Sequence, residues 1–259
     1  MNIKQKLNLH YEAFDKSKIS PDPLQFLHLY KNERDIEVIG FLASVFAYGN
    51  VKQINNSLEK IRVIVKNKPY SYVLKFTAKD YKDFEGLKHR FYSQEDIANL
   101  FLVLKDVFLN YGSLKNLFMN FYNPNESNLK STISKFSNHF INTAMELTNK
   151  EKVSRGINFM FPNPEKGSAC KRMNLFLRWM VRKDELDFGF WNEIPTSKLI
   201  IPVDTHIAKI CKSLKLTKRK NVNCKMAEEI TEKLKKFDPN DPVKYDFALC
   251  HIGMRKMEF

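Results

Sequence analysis

Glycine is scarce in this chain, 8 of 259 residues, and that scarcity limits the fold more than any other single feature. Sheets of short strands need recurrent glycine-bearing turns, and no such recurrence is present. Apolar residues instead return at three- and four-residue intervals over long windows, the period of a helix that buries one face. The expectation is an all-α protein. With 43% hydrophobic residues and 21 Phe, the chain has the bulk for a sizeable core.

The first helical period covers residues 3–15, with Ile3, Leu7 and Tyr11 on one face; Ser20-Pro21-Asp22-Pro23 breaks it, and residues 24–30 resume it. Residues 35–48 are apolar on most sides and read as a buried central helix that stops at Gly49. A helix over 51–66 follows, closed by Pro69. Ser93 with Asp96 resembles a capping pair ahead of a helix over 93–110, which Gly112 terminates. Residues 120–130 form a polar loop before a helix over 131–147. Further helices are predicted over 170–181, 205–214, 223–237 and 243–252, with a long connection at 184–202 that contains Trp191. No repeat or low-complexity tract interrupts this order.

Lys and Arg number 43 against 29 Asp and Glu, a net charge of +14. Such a surplus fits a polyanionic partner, bound through phosphate neutralisation and counterion release, or equally a lysine-rich solvated surface. The four cysteines, Cys170, Cys211, Cys224 and Cys250, form no CxxC pair and no compact cluster. Neither a zinc ribbon, nor a redox motif, nor an iron–sulfur centre is expected, and free thiols fit a reducing cytoplasm. The N-terminal residues are polar, and no apolar run approaches membrane-spanning length, so a cytoplasmic protein without membrane contact is expected.

Residues 166–206 carry the most chemistry. Lys166-Gly167-Ser168-Ala169-Cys170-Lys171 reads as a turn feeding an amphipathic helix, with Lys171 in the first helical turn. Its amine lies near the positive end of the helix dipole. Arg172, Arg178, Arg182 and Lys183 crowd the same segment, and no acidic residue occurs from 166 to 183. Both features disfavour an ammonium, as an amine nucleophile requires, although a solvated or phosphate-contacting lysine fits the position as well. At the other end, Leu199-Ile200-Ile201-Pro202-Val203 reads as a strand-like approach delivering Asp204 to a helix start. Asp204 fits as a plain N-cap, or as a rigidly held carboxylate able to stabilise a sugar cation or relay a proton.

Pro202-Val203-Asp204-Thr205-His206-Ile207-Ala208-Lys209-Ile210 resembles the aspartate motif of the helix-hairpin-helix DNA glycosylases, the endonuclease III and 8-oxoguanine glycosylase superfamily. Lys166-Gly167 through Lys171, with Phe176-Leu177-Arg178, is similar to the hairpin and following helix of the archaeal-type 8-oxoguanine glycosylases. The buried helix ending at Tyr48-Gly49-Asn50 resembles that superfamily's groove-probing turn, and residues 86–92 its Gly-aromatic-Arg loop. Residues 245–253 are similar to its last core helix. The chain is also similar to a bacterial family without assigned function that shares the Gly-Ser-Ala-Cys-Lys-Arg and Asp-Thr-His blocks. One departure stands out: Ala169 occupies the position of the hairpin's usual second glycine, which adopts positive φ and turns backbone N–H groups to phosphate.

The resemblance implies a two-lobed helical fold with a cleft between lobes, one lobe of residues 36–182 and another of residues 1–35 and 183–259. It implies a DNA glycosylase with AP-lyase activity on a damaged purine in double-stranded DNA, working as a monomer without cofactor or metal, and nucleoid-associated when bound. Lys171 would be the nucleophile and Asp204 the carboxylate of the sugar cation. Lys88, Arg90, Lys166, Gly167 and Arg172 would contact DNA, and Tyr48 and Asn50 would fill the gap left by a flipped base. A catalytically inactive DNA-binding protein of the same fold is the alternative, with a monofunctional glycosylase third and RNA substrates open.

Overall fold

The computed structural model describes residues 1–255, with side chains up to Ile252. Among them every regular element is helical, so the chain is all-α; the only β pairings are isolated bridges at His89–Tyr92 and Lys183–Phe188. The helices are α1 (Ile3–Glu12), α2 (Glu33–Phe46), α3 (Val51–Ile64), α4 (Pro69–Lys75), α5 (Gln94–Tyr111), α6 (Leu114–Phe121), α7 (Lys130–Thr148), α8 (Arg155–Met160), α9 (Lys171–Val181), α10 (Thr205–Ser213), α11 (Cys224–Lys235) and α12 (Asp246–Arg255). No single helix among the described residues is long and apolar enough to cross a membrane.

The described chain divides into two compact units, one of residues 1–20, 124–131 and 163–255, the other of residues 21–123 and 132–162. This moves the boundaries expected from the sequence. The hairpin at 166–171 and α9 belong with the C-terminal helices rather than with residues 36–162, and residues 21–35 belong with α2. The reason is packing: the 3-10 segment Pro23–Leu29 buries Leu24, Phe26 and Leu27 and lies against α2 and α3.

In the unit of residues 21–123 and 132–162, α2 is buried along nearly its whole length, from Ile36 to Phe46. Phe41 meets Phe136, Phe140 and Phe161 at centroid distances of 6.2, 5.1 and 6.3 Å. A second aromatic cluster joins Tyr72, Phe76, Phe84 and Phe101. Buried Glu37 on α2 accepts from the N–H groups of Leu114 and Lys115, at 3.3 and 3.0 Å, satisfying orphan donors at the start of α6.

In the other unit α9 is buried from Arg172 to Val181, and Phe176 meets Trp191 edge-on at 5.2 Å. Trp179 and Trp191 are both core residues, 0% and 1% exposed. Residues 199–203 form no strand; they run buried beside α11, where the Thr231 hydroxyl accepts the Ile201 N–H at 3.1 Å. α12 starts later than its apolar period implies and continues through Gly253 to Arg255.

Candidate active site

Asn163 organises the turn before α9. Its side-chain oxygen accepts the Glu165 N–H at 2.8 Å, and its carbonyl accepts the Ser168 N–H at 3.3 Å. Gly167 sits at φ +94°, a conformation costly to a side chain, and its carbonyl accepts the Cys224 N–H at 3.0 Å, tying the turn to α11. Ala169 does not have positive φ; the second left-handed residue is Cys170, at φ +46°. Asn174, one turn into α9, donates to the Ala169 carbonyl at 3.0 Å and braces this geometry. The second left-handed residue of the turn therefore falls immediately before Lys171. Replacing Gly167 by Ala is expected to cost about 1 kcal/mol or more, read as a lower urea midpoint, because the backbone there is incompatible with a Cβ.

Lys171 is the first residue of α9 and Asp204 the N-cap of α10. One carboxylate oxygen of Asp204, Oδ1, accepts the N–H groups of His206 and Ile207, both at 2.9 Å. The other, Oδ2, lies 2.9 Å from Lys171 Nζ, with the two side chains 32% and 19% exposed. A single aspartate thus serves as cap and as partner of the amine. Burial raises the Asp204 pKa, but the Lys171 ammonium, its hydrogen bond and the Ile207 N–H outweigh it, holding the carboxyl below its ordinary value. Asp204→Ala is expected to cost ~1 kcal/mol through the lost cap alone, with Asp204→Asn retaining most of it; urea unfolding of the two variants separates cap from charge.

Two of the cations expected to crowd Lys171 unbalanced, Arg178 and Arg182, are neutralised by buried carboxylates. Arg178 is bound by Asp246 at 2.5 Å and Asp187 at 3.2 Å, and Arg182 by Asp184 at 3.0 Å, Asp241 at 2.9 Å and Asp187. These carboxylates arrive from residues 184–187, 241 and 246, so the local run without acids says nothing about the folded charge. Burial lifts the Asp246 pKa to about 6, with Arg178 opposing and Asp204 adding to the rise.

The remaining predicted residues fall into two groups. Lys166 and Gly167 are exposed on the turn beside Lys171. Arg172 is not available for phosphate: it is 7% exposed, because the second position of α9 faces inward. Tyr48, Asn50, Lys88 and Arg90 belong to the other unit. Lys88 and Arg90 are exposed there, the Asn50 side chain caps α3 through the Lys52 N–H at 2.9 Å, and the Arg90 guanidinium lies 4.6 Å over the Tyr48 ring. The Tyr48 ring also meets Phe159, on α8, which the sequence reading passed over; Ser154, its N-cap, was the available signal.

Burial pushes the thiols of Cys170 and Cys211 up to about 12, away from the nucleophilic thiolate form. Among the described residues no three His, Cys, Asp or Glu side chains converge to hold a metal ion. No curated protein and no solved structure matches the chain. A family model described as "Protein of unknown function (DUF2400)" matches residues 22–255, and the chain belongs to that family.

Proposed function

We propose that this protein binds DNA and acts as a base-excision glycosylase with lyase activity on a damaged purine, with Lys171 as nucleophile and Asp204 as its acid–base partner. The observation that carries the reading is the 2.9 Å approach of Lys171 Nζ to Asp204 Oδ2 at two helix starts, partly open to solvent. It is supported by the likeness of residues 202–210 and 166–178 to the helix-hairpin-helix glycosylases and by the net charge of +14.

In this mechanism Asp204 takes the ammonium proton, and the freed amine forms a bond to C1′ of the deoxyribose as the C1′–base bond breaks. The base leaves with that proton, handed on from Asp204. Opening of the sugar ring converts the adduct to an imine, which eliminates the 3′ phosphate. Asp204 is held rigidly by its cap bonds, and once it has passed the proton to the leaving base its restored negative charge offsets the sugar cation.

Borohydride reduction of the imine tests this. Incubation with an abasic duplex should give a covalent protein–DNA adduct that Lys171→Gln abolishes. Absence of any adduct across abasic and oxidised-purine duplexes, with salt-dependent DNA binding intact, would sink the lyase assignment. Ala169 in place of the hairpin glycine favours a second reading, a DNA-binding protein without turnover, for which that outcome is the expected one.

A further inference from the structure

Two arginines on the unit of residues 21–123 and 132–162 rest on rings that neighbour each other. Arg62, Arg178, Arg182 and Arg219 are each paired with Asp or Glu, and Arg34, 5.2 Å over the Tyr70 ring, donates to the Gly112 carbonyl. Arg90 and Arg155 are exposed and rest on aromatic rings instead, with no carboxylate of the described residues at ion-pair distance. The Arg90 guanidinium lies 4.6 Å over Tyr48, and that of Arg155 lies 4.4 Å over Phe91. The two rings are themselves neighbours, 6.1 Å apart and 27° from parallel, and Phe159 packs edge-on against both, at 4.6 and 5.2 Å.

The support under this pair is rigid. The turn His89–Tyr92 is closed by reciprocal backbone bonds of 3.0 and 2.9 Å. Its outer residues are anchored inside: buried His89 bonds Ser57 Oγ at 3.0 Å and the Tyr48 carbonyl at 3.1 Å, and the Tyr92 hydroxyl donates to the Val45 carbonyl at 3.0 Å. Its inner residues, Arg90 and Phe91, project outward, with Arg90 in the left-handed region at φ +53°. Gly49 gives the Arg90 side chain its path, since a Cβ there would fall 2.7 Å from Arg90 Cδ. A strained, non-glycine left-handed residue held by buried anchors is a feature that persists where a side chain must be aimed.

We infer that Arg90 and Arg155 form a preorganised clamp for the phosphates of a nucleic-acid backbone, a deepening that rests on the DNA-binding part of the proposed function. A guanidinium stacked on a ring keeps its in-plane N–H donors free, and its planar fork matches phosphate oxygens bidentately. Stacking also removes rotamer freedom before the ligand arrives, so less is lost on binding. Lys88, exposed in the same loop, adds charge. Phe91 and Phe159 are positioning residues.

The test is the salt dependence of binding of the full chain to a fluorescent abasic-site duplex. Arg90→Met and Arg155→Met should each lower the slope of log K against log salt by about 1, the loss of one phosphate contact. Phe159→Leu should weaken binding several-fold with the slope unchanged, because it loosens the clamp without removing charge. Lys4→Met, an exposed charge elsewhere, should change neither. The clamp is overturned if the two arginine variants behave as Lys4→Met does. It is also overturned if poly-glutamate of matched charge displaces the duplex equally well and loses affinity alike in both variants, which would assign the arginines to carboxylates. Arginine-dependent binding without borohydride trapping sinks the lyase chemistry and leaves the clamp. Failure of the wild-type chain to bind DNA sinks both.

Discussion

Arg178→Met is expected to cost about 3–5 kcal/mol of stability, because it breaks a buried ion-pair network from one side. The guanidinium is 3% exposed and binds two aspartates, Asp187 and Asp246, that are themselves almost fully buried. Methionine fills similar space but leaves both carboxyls without that counterion. Burial already raises both pKa values, and Arg178 opposes the rise in each case, so its removal raises them further. The sign follows. A carboxyl whose folded pKa lies above its unfolded value makes the protein lose stability as pH rises from the unfolded value through the folded one. With Asp246 starting at about 6 and moving up, the deficit of Arg178→Met should be larger at pH 8 than at pH 5. Urea midpoints at the two pH values measure it. Adding Asp246→Asn should recover part of the loss, because the stranded charge goes with it. A deficit below about 1 kcal/mol, or one unchanged between pH 5 and pH 8, would show that the pair is held by packing alone.

That network also marks where sequence reading stops. Ser93 with Asp96 announced α5, and the reciprocal bonds are present, with the Asp96 N–H on Ser93 Oγ at 3.1 Å and the Ser93 N–H on Asp96 Oδ2 at 2.8 Å. Asp204 announced α10 in the same way. Caps are legible because donor and acceptor lie within three residues of each other. Pro69 reads in sequence as the end of α3, yet it occupies the first turn of α4, the other position where proline is favoured. Gly112 reads as a stop and is one, but Ser113 immediately caps α6. The short helices α4, α6 and α8 span too few turns for a periodic pattern to emerge. The partners of Arg178 and Arg182 lie up to 68 residues away, and nothing local indicates them. Lys171 and Asp204 were each legible as a helix start. That one aspartate oxygen would cap while the other met the amine was open from spacing alone, since 33 residues separate the two.

Lys171→Arg is expected to keep the fold and the ion pair with Asp204 while abolishing borohydride trapping completely. Arginine can reach the carboxylate, but its guanidinium does not give up a proton, so no nucleophile forms. The companion Asp204→Asn keeps a cap oxygen for the His206 and Ile207 N–H groups and removes the charge 2.9 Å from the amine. If Asp204 takes the proton and supports the sugar cation, trapping should slow by roughly 10²–10⁴ at neutral pH with DNA affinity nearly unchanged. The pH profile adds an independent check. The Asp204 carboxyl is held below its ordinary value of 3.8, so it remains ionised through the whole acid range down to that point. The contribution of the pair to stability is therefore fully present above 3.8 and is lost only as pH falls through the lower folded value. Wild-type unfolding should be insensitive to this pair between pH 5 and pH 8, and Asp204→Asn should lose the acid-side slope. Equal trapping by Asp204→Asn and wild type would reduce Asp204 to a helix cap with a salt bridge. Trapping that survives in Lys171→Arg would place the nucleophile elsewhere in the chain.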